Sequence, residues 1–500
     1  MLSNRRNRLG APAIVSIVLA GSGVLTLCGC PDSSGCSHGK EPNALTGTCE
    51  ASCGDGEVVL PEECDDGNRI DDDACDNSCK LGRLCFTAAE GTLCPDQCTP
   101  MIDCGHGECV DTDQGPSCEC TRGYFGLHCD KKLLITAGAN FTVARNIDGN
   151  VVAWGNNGSG QLASSSAGDS STVAMTIADL PGLYSVKQLS ASPTGTHALA
   201  LDNDGRIWAW GENADEQLGI PMKSDKNQVV EYINPAAPAE VGPTWVAAGF
   251  RHSLAIYKNN IHTWGLDDPI APEWSFYEAA ACSDWNLAIG GGDVYSWGSN
   301  NGYGQLGTGN MMAQVDPIKL IIPTDTQLID VDCGEGHSIA LSEGGRVWAW
   351  GWNKSYQLSD YVDEFMSPVP AEMTFDDDGE EPDEDIKIVA IAAGASHNVA
   401  LDADGHVWTW GEHSYGQLGH GLNAPEKSTR PRRVRKANME LLSNIVVIEA
   451  GGFFTLAMDK SGVLWAWGDN ESGQLGITDP KKETDRPNES DFQFRESVSK

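Results

Sequence analysis

The chain has 500 residues, 71 acidic against 33 basic, and a net charge of −38. At about 150 residues per domain this length implies roughly three domains, and 40% hydrophobic with 21% charged residues is a globular composition. The acid excess excludes nucleic acid as a partner, because a phosphate backbone attracts clustered Lys and Arg and repels an acidic surface.

Residues 1–10 hold Arg5, Arg6 and Arg8 and no acid, and 11–27 is an apolar run interrupted only by small or hydroxylated residues. The run is shorter than the ~20 residues that cross a bilayer, which predicts a signal peptide over 1–29 rather than a membrane span. The pair Arg5-Arg6 lacks the neighbours of a twin-arginine signal. Leu27-Cys28-Gly29-Cys30 resembles the bacterial lipobox, which implies that Cys30 carries lipid and starts the mature chain. Removing 1–29 takes away three cations and no acid, leaving −41. Lipid, not charge, must then hold the protein at an anionic membrane of the cell envelope.

Fourteen cysteines fall between Cys36 and Cys129, followed by only Cys282 and Cys333. An even number in an exported segment reads as a disulfide-rich stalk, with 30–52 as a linker. Zinc is disfavoured by the oxidising compartment and by the lack of paired C-x2-C spacing. Cys98, Cys104, Cys109, Cys118, Cys120 and Cys129, closed by Gly123-Tyr124-Phe125-Gly126-Leu127-His128, resemble an EGF-like module, placed at 85–130. That resemblance implies pairs Cys98 with Cys109, Cys104 with Cys118 and Cys120 with Cys129. The eight earlier cysteines stay unassigned.

The segment 53–84 resembles a short cysteine-rich repeat common on myxobacterial surface proteins. Its Asp65, Asp66, Asn68, Asp71, Asp72, Asp73 and Asp76 supply hard oxygen ligands on a short loop, a candidate site for Ca²⁺. The competing reading is a solvated acidic loop, since the ligand order is not that of an EF-hand.

From Leu133 the chain repeats. Each copy runs through an apolar strand ending Ala-Gly, a strand of the His-Ser-Leu-Ala-Leu type, an Asp-Gly turn, a strand ending Trp-Gly, and often Gly-Gln-Leu-Gly. The strand-ending Trp154, Trp210, Trp264, Trp297, Trp350, Trp410 and Trp467 mark seven copies at intervals of 56, 54, 33, 53, 60 and 57. A period near fifty indicates an array of small sheets, and one hairpin must pack on its neighbours to bury both faces. The turns that need positive φ carry Asp148-Gly149, Gly344-Gly345, Asp404-Gly405 and Ser461-Gly462, with a shorter form at Lys258-Asn259 and Gly290-Gly291-Gly292.

This grammar resembles the regulator of chromosome condensation repeat family, and the resemblance implies an all-β, seven-bladed β-propeller over 131–500. Copy three departs from it. Leu266-Asp267-Asp268-Pro269 replaces Gly-Gln-Leu, so an outer strand is expected to be abbreviated there, and copy four puts Cys282 where Gly249 and Gly394 stand elsewhere. Copy one begins at once with Leu133-Leu134-Ile135-Thr136 and reads as one strand short. The tail around Asp491-Phe492-Gln493-Phe494 is expected to complete that first blade.

His197, His252, His337 and His397 share one slot, held in other copies by Phe141, Trp285 and Phe454. A slot that accepts aromatics and recurs on separate blades is structural and not a four-histidine metal site. Photoreceptive relatives of the family use Gly-Trp-Arg-His segments. Here the residue after Ala-Gly or its equivalent is Ala139, Phe250, Ser283, Glu335, Ala395 or Gly452, never Trp. The stretch 376–385 holds eight acids, and Lys427, Arg430, Arg432, Arg433, Arg435 and Lys436 form a basic run; both are expected as loops, with the arginines a candidate contact for an acidic partner.

No HExxH pair, phosphate-binding glycine loop or Gly-x-Ser-x-Gly turn occurs. The expectation is therefore a non-enzymatic, lipid-anchored bacterial surface protein whose propeller binds an unknown protein or polysaccharide. The alternative is an inhibitor or regulator of an envelope enzyme, because a secreted member of the family blocks a β-lactamase. Export and disulfides argue against guanine-nucleotide exchange.

Overall fold

The structure, a computed structural model, describes residues 134–493 with breaks at 147–148, 165–167, 178–185, 222–228, 233–241, 267–274, 324–326, 359–364, 376–385, 422–423 and 479–483. The signal peptide, Cys30, the stalk cysteines, the acidic calcium-loop candidates of 65–76 and the acidic stretch 376–385 lie outside the described residues.

Seven antiparallel sheets follow one another. The innermost strands are Leu134–Ala137, Val186–Ala191, Trp245–Ala248, Glu278–Ala281, Leu328–Cys333, Ile388–Ala393 and Ile445–Ala450. Each touches the next and the last touches the first, so the sheets form a closed ring of seven blades. Six blades have four strands, and blade three has three among the described residues, as the missing Gly-Gln-Leu there foretold.

The core lies between blades. One cluster joins Val143 and Ala153 of blade one to Ala198 and Trp210 of blade two, and the other clusters repeat that arrangement around the ring. This is why a single blade cannot stand alone. The inner edges would otherwise expose unpaired N–H groups. Side chains of the preceding blade accept from them: Thr136 Oγ1 from Ala191 N, Gln188 Oε1 from Val246 N, Ser190 Oγ from Ala248 N and Asp332 Oδ2 from Ala393 N, all at 2.8–3.1 Å.

The repeat grammar has a physical meaning at each position. The indole N–H of the Trp-Gly tryptophan donates to the carbonyl of the preceding blade's Gln-Leu glutamine: Trp210 to Gln161, Trp264 to Gln217, Trp350 to Gln305, Trp410 to Gln357 and Trp467 to Gln417, at 2.8–2.9 Å. Trp297 follows the blade that lacks this motif, and its indole nitrogen is buried without a partner. At the Asp-Gly turns, Asp202, Asp402 and Asp459 each cap the turn through Oδ1 and accept an indole N–H through Oδ2, from Trp208, Trp408 and Trp465. Blade five has Ser342 in that slot, and Trp348 is left with a buried, unpartnered indole nitrogen. The short turns have both central residues at positive φ, 49° and 68° at Lys258-Asn259 and 63° and 85° at Gly291-Gly292.

Two expectations are corrected. The tail does not complete the first blade. Blade one has its own outer strand, Ser170–Thr176 on Val151–Asn156, and Thr484–Gln493 pairs with Val463–Gly468 as the outer strand of blade seven. In the six four-stranded blades the chain leaves the Trp-Gly strand through a loop and returns on the outside of the same sheet, so copy one was never short. Pro368-Val369-Pro370 lies in the corresponding outer strand of blade five. Closure comes instead from contacts between the two blades: Trp154 Nε1 and Thr142 Oγ1 both donate to Gln474 O at 2.9 Å, Gly452 N donates to Ala139 O, and the Trp154 ring lies 4.8 Å from that of Phe492. The second correction concerns the basic run, which is not a loop: Lys427–Arg433 is the outer strand of blade six.

Candidate functional site

The four slot histidines are buried and each reaches the next blade. His197 Nε2 meets Ser253 Oγ, His252 meets Asn286 Oδ1, His337 meets Asn398 Oδ1 and His397 meets Thr455 Oγ1, at 2.8–3.0 Å. Ser253 and Thr455 spend their own hydrogens on Gln217 O and Gln417 O, so the histidines donate through Nε2. Burial holds three of them neutral, pushing His197 and His397 down to about 3 and His337 to about 4. The rings also explain the Ala-Gly signature. A Cβ on Gly394 would lie 2.0 Å from His397 Cε1, so no side chain fits there. These residues are joints between blades, as the shared slot implied. The glycine of Trp-Gly answers to a similar constraint, since Gly211 has φ +106° and its missing Cβ would sit 2.7 Å from His197 Cα.

The opening of the ring on the side of those glycines is a concave mouth of about 480 Å³. Its rim is held by backbone hydrogen bonds from blade to blade: Ala139 N to Gly195 O, Phe250 N to Cys282 O, Glu335 N to Ala395 O, Ala395 N to Gly452 O and Gly452 N to Ala139 O, at 2.9–3.2 Å. Ser283 Oγ reaches Thr194 Oγ1 at 3.3 Å, from blade four to blade two. The lining includes Phe250, Asp284, Tyr303, Glu335, Trp352 and Phe453. Tyr303 stacks on Trp352 with ring centroids 5.2 Å apart, and Tyr415 meets Phe453 at 4.9 Å. Phe250, Tyr303, Tyr356 and Tyr415 are nonetheless 38–42% exposed, an aromatic surface that a packed core would have hidden. Arg251 at the edge is engaged by Asp215 at 2.9 Å.

Around the axis, Glu278, Asp330, Asp332 and Glu449 sit on inner strands. Burial raises all four, Asp332 to about 7, and the neighbouring carboxylates push Glu278 and Glu449 further. Cys282 and Cys333 form a disulfide with Cα atoms 5.6 Å apart, joining the inner strands of blades four and five below the rim. Reasoning from sequence missed this bond, although the two cysteines stand alone in the last 370 residues and one occupies a glycine slot.

The basic strand is largely committed. The Arg433 guanidinium lies 4.7 Å from the Trp408 ring centroid and the Lys436 ammonium 4.4 Å from that of Trp465. Arg435 Nη1 donates to Met439 O, and Arg430 is partly buried and also engaged. Arg432 is exposed beside a concavity that it lines with His420, Asp485 and Arg486.

Comparison with known proteins places this geometry. Residues 266–499 match the RCC1-like domain, and 134–161, 186–217 and 204–256 match regulator of chromosome condensation (RCC1) repeats. Residues 34–80 match a domain of unknown function, DUF4215. The chain is 27% identical to the ultraviolet-B receptor UVR8 of Arabidopsis thaliana over 375 residues, 75% of this chain and 72% of the receptor. It is 27% identical to the E3 ubiquitin-protein ligase HERC2 of Homo sapiens over 346 residues, 68% of this chain but only 6% of the ligase. Among solved structures, yeast RCC1 (Prp20) bound to Kap60 aligns with a TM-score of 0.59 at 19% identity, covering 73% of this chain and 86% of that one. Motif, ring geometry and relatives agree: residues 134–493 are a seven-bladed β-propeller built of regulator of chromosome condensation repeats.

Proposed function

We propose that the protein is an exported, lipid-anchored bacterial surface protein without catalytic activity of its own, and that its propeller binds a protein partner through the mouth. The observation that carries the binding is the aromatic lining of one concave opening by Phe250, Tyr303, Trp352 and Phe453, of which Phe250 and Tyr303 are 40–42% exposed. Aromatic side chains give large contact area at small entropic cost and are enriched at the centres of protein interfaces. A likeness in scaffold to yeast RCC1, solved in complex with Kap60, supports a protein over a polysaccharide as the partner. An envelope enzyme as partner would make this an inhibitor by occlusion.

The anchor rests on Leu27-Cys28-Gly29-Cys30, and Cys30→Ser should release the protein into the aqueous fraction; continued sedimentation with membranes refutes it. For binding, the chain is used to capture protein from envelope extracts. Tyr303→Ala with Trp352→Ala should abolish capture while Arg432→Ala leaves it intact, and the reverse pattern would move the interface to the basic strand.

A further inference from the structure

We infer that the mouth selects a cationic side chain, a lysine or arginine presented by a basic protein partner, and this deepens the reading just given and rests on it. The mouth combines two carboxylates with four aromatic rings. Asp284 and Glu335 line the cavity, and neither carboxylate is engaged by a cation. Glu335 is exposed on the rim, in the slot that is Ala139, Ala395 or Gly452 in other blades. Phe250, Tyr303, Trp352 and Phe453 wall the same space.

Ring faces attract an ammonium or guanidinium that carboxylates have already drawn in, and both contributions grow as water is displaced. Arg251 is paired with Asp215 and lies over the Phe250 ring, which leaves Tyr303, Trp352 and Phe453 to meet a ligand. A neutral or anionic ligand would leave these acids uncompensated, so the charge pattern chooses against both.

The test uses the full chain and a fluorescent octalysine peptide, with its fully Nε-acetylated form as the uncharged counterpart. Octalysine should bind and the acetylated peptide should not. Asp284→Asn with Glu335→Gln should weaken binding about tenfold or more, as removal of charge-assisted contacts does, and Tyr303→Ala should weaken it by a similar factor. Glu343→Gln with Asp404→Asn changes the net charge equally at exposed turns on the opposite side of the ring, and should alter binding less than twofold. Equal loss in both charge variants would show attraction to the acidic chain as a whole and overturn the inference. Capture of an envelope protein that persists unchanged in the Asp284→Asn, Glu335→Gln chain would also overturn it while leaving the scaffold reading intact; absence of any capture by the unmodified chain would remove the scaffold reading itself.

Discussion

The disulfide between Cys282 and Cys333 closes a span of 51 residues that includes the last three strands of blade four. Loop closure over that length withholds from the unfolded chain an entropy equivalent to about 4 kcal/mol at 25 °C. The bond also sits where other restraints are weakest. Blade three lacks a fourth strand among the described residues, and Trp297 of blade four has no carbonyl to hold. Replacing both cysteines by alanine should therefore lower the unfolding temperature by about 8 °C, taking about 2 °C per kcal/mol for a domain of this size. Calorimetry of the double variant reads the shift, and hydrogen exchange should show the loss of protection concentrated in blades three to five. An unchanged transition, or a loss spread evenly over seven blades, would refute the reasoning.

Deleting 484–500 removes the outer strand of blade seven and with it Arg486, whose guanidinium donates to the carbonyls of Arg435, Lys436 and His420. The truncated chain should unfold at least 10 °C lower, at about 1 kcal/mol per hydrogen bond lost and 2 °C per kcal/mol, and associate through its bared edge, as calorimetry and size-exclusion chromatography would report. Ser342→Asp supplies Trp348 with the acceptor that Asp202, Asp402 and Asp459 provide elsewhere, and should stabilise by about 1 kcal/mol in denaturant titration. The axial acids are raised in the folded state, so their contribution is fully present below the ordinary carboxylate range and is lost as pH rises through about 6 for Asp330, about 7 for Asp332 and about 9 for Glu278, with Glu449 also well above its ordinary range. Stability should fall between pH 5 and pH 8, and Glu449→Gln should flatten that slope; an unchanged slope would refute the assignment.

The blades were legible because each is written locally. Trp-Gly, Asp-Gly and the shared histidine slot all describe contacts within one copy or to the next, and a period near fifty is visible without knowing any partner. The phase of the repeat was not legible. Pro368-Val369-Pro370 is strand-like whether it pairs backward with Val347–Trp352 or forward with Ile388–Ala393, and alternation cannot choose between them. That ambiguity produced the wrong closure at the C-terminus. The mouth was hidden for another reason: Phe250, Tyr303, Glu335 and Phe453 come from separate copies, each an ordinary loop residue in its own sentence. Their shared property is position about an axis, which no linear motif encodes. The arginine run drew attention by density along the chain, whereas the fold lays two of those cations over tryptophan faces.

The joint between blades seven and one repeats the bonds found between most other neighbours. Trp154 holds Gln474 as Trp210 holds Gln161, and Gly452 holds Ala139 as Ala395 holds Gly452. Among the described residues no strand is lent across the seam. The ring therefore has no privileged first blade: its covalent origin is an accident of where the chain was cut, and its integrity is that of a necklace whose clasp is one more bead.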